Sequence, residues 1–288
     1  MSTEKIVVGY DRSPQARKAA AWALDEATRT GAVVEFFHAY EWPHWAPAVS
    51  MVPPVAVLPA EQIRRDMDNS LRDAVASAAR THPGVTTTTS VADAGAALTL
   101  IDRSRHAQLI VLGNHGYSAV AGLLGSVSVA VSAHAYCPVV IVRGDAARQG
   151  PVVASIDDSP SSHAVLGFAF EKAATGGTPL VVIRAWPPTA GVRDDPLFAE
   201  GKVPIGIRHP FDELIRGWHA KYPQVDVTAQ AVLEHPAATL TEASTTGRLL
   251  VIGTHGRGVL RGLLLGSVSQ HLLRHASCPV AVVRETAR

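Results

Sequence analysis

Cysteine and net charge are both scarce in this chain: two cysteines and a formal charge of +1 in 288 residues. Two thiols do not make the disulfide framework of a small secreted domain. Cys137 and Cys278 lie in matching surroundings, each directly before Pro-Val, which points to duplication. A chain so close to neutral lacks the basic footprint of a nucleic-acid-binding domain, so DNA and RNA are not expected partners. Long apolar runs are missing too. The longest apolar region, Ala46 to Ala60, is interrupted by Pro47, Pro53, Pro54 and Pro59, and it falls short of the roughly 20 apolar residues a membrane span requires. The opening MSTEKIVVGYD has the features of neither a signal nor a transit peptide, and the expectation is a cytoplasmic protein with no membrane partner. The commonest phosphate motifs, G-x-x-x-x-G-K-[ST] and G-x-G-x-x-G, do not occur in the glycine-rich stretches. Their absence disfavours a P-loop kinase and a Rossmann dehydrogenase.

What the chain does have is a repeat. VVGYDRSPQARKAAAWALDEATRTGAVVEFFHAYEWP from Val7 aligns with VVASIDDSPSSHAVLGFAFEKAATGGTPLVVIRAWPP from Val152, and HAYCPVVIVR from His134 with HASCPVAVVR from His275. The halves are offset by 146 residues at Asp11/Asp157, 140 at Gly113/Gly253 and 141 at Cys137/Cys278. Self-similarity of this kind sets the domain plan. Two domains are expected, residues 1–145 and 150–288, around a short polar seam, GDAARQG from Gly144 to Gly150. A composition of 47% hydrophobic and 18% charged residues is enough for two cores.

Within each half, apolar runs of strand length alternate with longer helical segments, the mark of βαβ units and a parallel sheet. The first half reads as strands 6–10, 33–40, 85–92, 109–113 and 138–143, with helices 14–30, 60–80, 95–106 and 126–135; the second half repeats it. LIVLG and LLVIG are apolar throughout, as strands covered by helices on both faces should be. The fold class is α/β, two tandem doubly wound domains. Ligands of such folds lie beyond the carboxyl ends of the strands, at the switch point.

A glycine-rich stretch occupies that place in each half: GNHGYSAVAGLLGSVSV from Gly113 and GTHGRGVLRGLLLGSVSQ from Gly253. Each follows the fourth strand and ends where a helix begins. Glycine has no Cβ, so Gly253, Gly256 and Gly266 can bring backbone N–H groups against a ligand. The helix opening at Ser267 aims free N–H groups and a positive dipole end at the same spot, which favours phosphate. Leu263 to Leu265 would anchor the loop. The alternative is that the glycines only make turns and that the serine is an N-cap.

The arrangement G-x2-G-x9-G-[ST], between a strand and the last helix, resembles the ATP-binding motif of the universal stress protein family. YDRSP and IDDSP are similar to the end of that family's first strand, and CPVVIVR and CPVAVVR to its last. The resemblance covers nearly the whole chain. It implies two five-stranded parallel sheets of order 3-2-1-4-5 flanked by helices, and ATP, carried with Mg2+, as cofactor. It implies that Asp157 meets the ribose and adenine side, that the backbone of Ala185 reads the adenine, that Gly253 lies on the ribose side, and that Gly256, Gly266, Ser267 and Val268 contact phosphate. In the first half the same roles fall on Asp11, Ala39, Gly113, Gly116, Gly125, Ser126 and Val127. The first loop departs from the pattern: eight residues separate Gly116 from Gly125, where nine separate Gly256 from Gly266, and Tyr117 and Ala121 stand where the second loop has Arg257 and Arg261. Weaker nucleotide binding is therefore expected in the first half. The resemblance also implies that Val139 to Arg143 and Val280 to Arg284 pair across a pseudo-two-fold axis, making an intramolecular pseudo-dimer; a homodimer is a further possibility.

Other features carry less. His134 and Cys137 with His275 and Cys278 have the composition of a zinc set, but cysteine before proline at a strand start reads as a buried hydrophobe. His115 and His255 read as loop histidines with local hydrogen bonds more than as bases. Asp158, beside Asp157, reads as a turn residue more than as a magnesium ligand. The stretch Trp42 to Pro59 reads equally as a lid, an interface or packing on its own domain. No nucleophile with its base is apparent. A regulatory binding protein in stress or growth arrest is the leading reading. A slow ATPase or nucleotide-using enzyme, and a structural dimerisation protein, are the alternatives.

Overall fold

The computed structural model describes residues 4–40, 60–116, 124–157, 159–187, 203–254 and 265–285. The first half runs β1 (Lys5–Gly9), α1 (Pro14–Thr30), β2 (Val33–Tyr40), α2 (Ala60–Thr81), β3 (Thr87–Asp93), α3 (Ala96–Arg103), β4 (Leu109–Gly113), α4 (Ser126–His134) and β5 (Val139–Val142). The second repeats it: β6 (Val152–Ser155), α5 (Ser161–Gly176), β7 (Leu180–Ala185), α6 (Ile205–His219), β8 (Val227–Val232), α7 (Pro236–Ala243), β9 (Leu249–Gly253), α8 (Ser267–His275) and β10 (Val280–Val283).

Local chemistry explains the boundaries. Ser13 caps α1, its Oγ accepting the Ala16 N–H at 3.0 Å, with Pro14 in the first turn, where a missing N–H costs nothing. Gly31 and Gly177 close α1 and α5 in the left-handed region, at φ 74° and 58°, a conformation that favours glycine. Strand β3 begins at Thr87, later than the pattern suggests, because Val85 is held in a turn by its N–H bond to His82 O at 3.0 Å. Helix α3 ends at Arg103, since the Arg105 and His106 N–H groups turn back to Asp102 O and Arg103 O.

One ten-stranded sheet runs β3-β2-β1-β4-β5-β10-β9-β6-β7-β8. Each half is parallel, in the order 3-2-1-4-5. The halves join where β5 meets β10 antiparallel, Val139 opposite Val282, Val140 opposite Ala281 and Ile141 opposite Val280. Val140 and Ala281 are equivalent positions, so a pseudo-two-fold axis passes between them. Both strands are buried at every residue; left unpaired they would be open apolar edges. Arg143 reinforces the join by donating to the carbonyls of Leu272, Arg274 and Ala276 at the end of α8. Leu272 O also accepts the Ala276 N–H at 2.9 Å, whereas the Arg274 and Ala276 carbonyls lie past that last helical bond, and a cation suits the negative end of the dipole.

The halves also touch through α1 and α5. There Lys172 Nζ lies 2.8 Å from Glu26 Oε1, both residues buried, while Arg29 holds the other carboxylate oxygen at 2.8 Å. Burial by itself pushes the Glu26 carboxyl up, but the charge and hydrogen bond of Lys172, then Arg29, outweigh it and hold Glu26 below its ordinary value. Burial likewise disfavours charged Lys172, and Glu26 reverses this, holding its ammonium above the ordinary lysine value. Burial pushes the Cys137 and Cys278 thiols up to about 12, so both are protonated packing groups. No described helix is long and apolar enough to cross a membrane.

Candidate functional site

In the first half the carboxyl ends of β1, β2 and β4 open onto a cleft of about 520 Å3. Its walls bring together Asp11, Ala39, Gly113, Gly116, Gly125, Ser126 and Val127, residues up to 116 positions apart in the chain. The order 3-2-1-4-5 is the reason. The chain leaves β1 toward β2 on one side and returns to β4 on the other, and the connections diverge above that point.

Each residue is held by its own chain. Asp11 Oδ1 accepts the Ser13 N–H at 3.0 Å, and Arg12 between them adopts φ 70°, uncommon for a side-chain-bearing residue. The turn orients the carboxylate toward the glycine loop: a Cβ added to Gly116 would stand 2.6 Å from Asp11 Oδ2. A Cβ on Gly113 would stand 2.7 Å from Gln15 Cβ and 2.9 Å from its backbone carbon, so the loop lies directly on the start of α1. His38 Nδ1 binds Tyr10 O at 2.6 Å, tying β2 to β1 next to Ala39.

The start of α4 is the electropositive wall. Gly125 is the N-cap and donates its own N–H to Asn114 O at 2.9 Å. The first helical bond is Val129 N–H to Gly125 O at 3.1 Å, which leaves the N–H groups of Ser126, Val127 and Ser128 outside the helical ladder. Ser126 is the first helical residue and is exposed; it is not the N-cap, because glycine takes that place. The hydroxyl that braces the loop belongs to Ser128, which donates to Gly113 O at 2.9 Å. Sequence reasoning missed Ser128, although S-x-S after the last glycine occurs in both halves. His115 Nε2 meets the Gln15 amide nitrogen at 3.0 Å and its Nδ1 meets Gly116 O at 3.2 Å. An imidazole with its proton on Nδ1 satisfies both bonds, so His115 acts as a brace.

The second half repeats the frame. Asp157 Oδ1 accepts the Ser159 N–H at 2.9 Å, Gly266 donates to Thr254 O at 2.9 Å, and Ser269 donates to Gly253 O at 2.8 Å. Ser267 and Val268 open α8 after the N-cap Gly266, Leu265 is fully buried, and Ala185 ends β7. Arg184, next to Ala185, stacks on Trp186 at 4.4 Å and is paired electrostatically with Asp157. Gly256, His255, Arg257, Arg261, Leu263 and Leu264, together with Tyr117, Ala121, Asp158 and the stretch Trp42 to Pro59, lie outside the described residues. Among the described residues no three His, Cys, Asp or Glu side chains form a metal-holding group. One carboxylate beside free N–H groups suits a magnesium ion brought in on phosphates, which needs only one or two protein carboxylates.

Fold and cleft together define a tandem doubly wound α/β protein with a ligand-sized cleft on the carboxyl edge of its first sheet half. The model of the universal stress protein family matches residues 2–143 and again 150–284. A universal stress protein of Mycolicibacterium smegmatis is 34% identical over 97% of this chain and 96% of its own, and one of Mycobacterium tuberculosis is 32% identical over 98% and 96%. The crystal structure of a universal stress protein from Archaeoglobus fulgidus superposes with TM-score 0.67 at 17% identity, covering 97% of this chain and 96% of that one. A putative universal stress protein from Pseudomonas aeruginosa gives 0.63 at 16% identity, covering 99% and 94%. The chain belongs to the universal stress protein family.

Proposed function

We propose that this protein is an ATP-binding regulator of stress or growth arrest in the cytoplasm, whose two units, residues 1–145 and 150–288, each carry a nucleotide site. The observation that supports it is the first cleft: three free N–H groups at the start of α4, the Cβ-less Gly113, Gly116 and Gly125 of the loop and the Asp11 carboxylate surround a volume of about 520 Å3. N–H groups and the helix dipole suit phosphate oxygens, and a carboxylate suits ribose hydroxyls, which it can accept from. Mg2+ would travel with the phosphates, Asp11 and Asp157 being the acids on hand. Binding, more than turnover, is the proposed activity, because His115 is engaged in bracing the loop and no described side chain pairs a nucleophile with a base. The regulatory output would then come from a protein partner that distinguishes the loaded from the empty state.

The test is mass spectrometry of small molecules released on denaturing the gently purified protein, followed by calorimetric titration of ATP with and without Mg2+. Stoichiometric adenine nucleotide and saturable ATP binding are expected. An empty protein that gives no heat with ATP would overturn the proposal, and turnover abolished by a cleft substitution would move it to the enzyme class.

A further inference from the structure

The two halves cover the outer face of their sheets differently. In the second half Trp218 of α6 and Tyr222 just beyond it stack on Phe170 of α5, with centroids 6.0 and 5.5 Å away and planes inclined by 16° and 25°. Gly167 lies beneath the indole, where an added Cβ would come within 3.1 Å of Trp218 Cη2. His163 lies 6.5 Å away at the ring's side. These rings fill the space between α5 and α6.

The repeat identifies their counterparts. With Asp11 aligned on Asp157 and Pro83 on Pro223, Phe170 corresponds to Leu24, Gly167 to Ala21, His163 to Arg17, Trp218 to Ala78 and Tyr222 to His82. Two of the three stacked rings give way to the aliphatic Leu24 and the small Ala78, and the third, Tyr222, to the smaller ring of His82. The space between α1 and α2 is a cavity of about 620 Å3, within the roughly 300–1,000 Å3 typical of small-molecule sites. Its floor is apolar and buried, made by Ala20, Leu24, Phe36, Ala74 and Ala78. Arg12, Arg17, Asp66 and Asp73 also line it. Among the described residues none of these four side chains makes a hydrogen bond or ion pair.

We propose that this cavity is a second ligand site, distinct from the nucleotide cleft, for a small planar aromatic molecule carrying ionised groups of both signs, of the class of a free aromatic amino acid. The chain's own indole marks the shape of the occupant at the equivalent place. The apolar floor takes a flat ring, and water there is poorly served because the floor offers few hydrogen bonds. The guanidiniums of Arg12 and Arg17 suit a carboxylate, and the Asp66 and Asp73 carboxylates suit an ammonium. Tyr10 lines both this cavity and the nucleotide cleft, so the two sites share one wall.

The test titrates the full-length protein with L-tryptophan and, separately, with indole by calorimetry or ligand-observed NMR. One saturable tryptophan site per chain is expected. The triple variant Ala21→Gly, Leu24→Phe and Ala78→Trp rebuilds the second half's plug, the glycine making room beneath the indole as Gly167 does, and should abolish binding with unchanged circular dichroism. Arg17→Ala, on the surface side of the cavity, serves should the plugged protein fail to fold. It should weaken tryptophan by about tenfold or more, the loss of one charge-assisted hydrogen bond, and leave indole unchanged. No tryptophan binding to the unaltered protein, undiminished binding in both variants, or complete displacement of tryptophan by ATP would overturn the proposal.

Discussion

The two halves share a backbone plan and differ in the side chains that a duplicated plan leaves free. The difference is clearest on the pseudo-two-fold axis. Glu26 and Lys172 occupy the same position of α1 and α5, and they meet each other. In an isologous dimer of identical domains a residue on the axis meets its own copy, so glutamate there would face glutamate. Joining the halves in one chain removes that constraint, and each side has taken the charge that complements the other. The same freedom shows at a distance from the axis. Glu35 of β2 is buried and held by Lys5, Ser90 and Arg103, whereas Val181 stands at its counterpart in β7. Burial pushes the Glu35 carboxyl up, and those three partners bring it below its ordinary value. The helix pair α5/α6 is closed by aromatic rings, while α1/α2 is open. What stays common to both halves is the frame of the carboxyl edge: the capped turn after the first strand, the glycine N-cap and the serine returning to the last residue of the fourth strand.

Removing β10 would break the comparison outright. Truncation after Cys278 strips the antiparallel partner from β5 and leaves an apolar edge with nothing to cover it. Aggregation or loss of cooperative unfolding is expected in analytical ultracentrifugation and thermal melts. A truncated chain as soluble and stable as the parent would show that the join contributes little.

Lys172→Glu restores the identity of the axis positions and puts carboxylate against carboxylate. Breaking a buried pair by changing one partner costs about 3–5 kcal/mol, to be read from urea unfolding. The exchanged double variant, Glu26→Lys with Lys172→Glu, should recover much of the loss. Failure to recover it would mean that Arg29 and Glu171 make the site directional.

Acid probes the same pair more gently. Glu26 has a folded pKa below its ordinary 4.5, so its contribution is complete above that value and is lost as pH falls through the lower folded one. Lys172 has a folded pKa above 10.5, so its contribution is complete below 10.5 and fades as pH rises through the higher folded value. The pair therefore holds across neutral pH. Glu26→Gln should flatten the acid limb of the stability curve, and an unchanged limb would assign it to other carboxylates such as Glu35.

Nucleotide titration compares the two edges. Gly116→Val drives a branched side chain against the Asp11 carboxylate, where a Cβ alone would stand at 2.6 Å. It should weaken the first site by about tenfold or more with circular dichroism unchanged, and Gly256→Val should do the same to the second. If the sites are unequal, as the loop lengths imply, Gly256→Val removes the tighter phase. The smallest effect is expected from lengthening the first loop. Inserting a leucine before Gly125 gives it the second loop's spacing and should raise first-site affinity by about 1 kcal/mol or less, since the cationic positions of the second loop stay absent. Two equal sites in the unaltered protein would show that the missing residue is silent.

Much of this was legible in the residues because it depends on neighbours in the chain. Ser13-Pro14 and Gly31 bound α1 through bonds to adjacent turns. The all-apolar runs LIVLG and LLVIG mark buried parallel strands, since a strand covered on both faces has no polar side. The repeat itself announced two units, and the family resemblance implied the pairing of their last strands. Asp11, Gly113, Gly116, Gly125 and Ser126 were assembled by resemblance, and topology then explains why they converge. Ser128 and Ser269 were not found, because a serine in the first turn of a helix gives no sign of which carbonyl it reaches.

Sequence by itself determined the elements, the duplication and the edge on which the glycines gather, because hydrophobic period, capping chemistry and the reach of glycine are local properties. Only the tertiary structure decided which residues of one half meet those of the other. Glu26 finds Lys172 across 146 positions, Arg143 finds the end of α8, and the space beside Leu24 and Ala78 stays open where Trp218 and Phe170 fill its twin. Such contacts depend on where whole helices and strands come to rest, and that is settled by the burial of both faces of a continuous sheet, to which every strand contributes and which no single segment encodes.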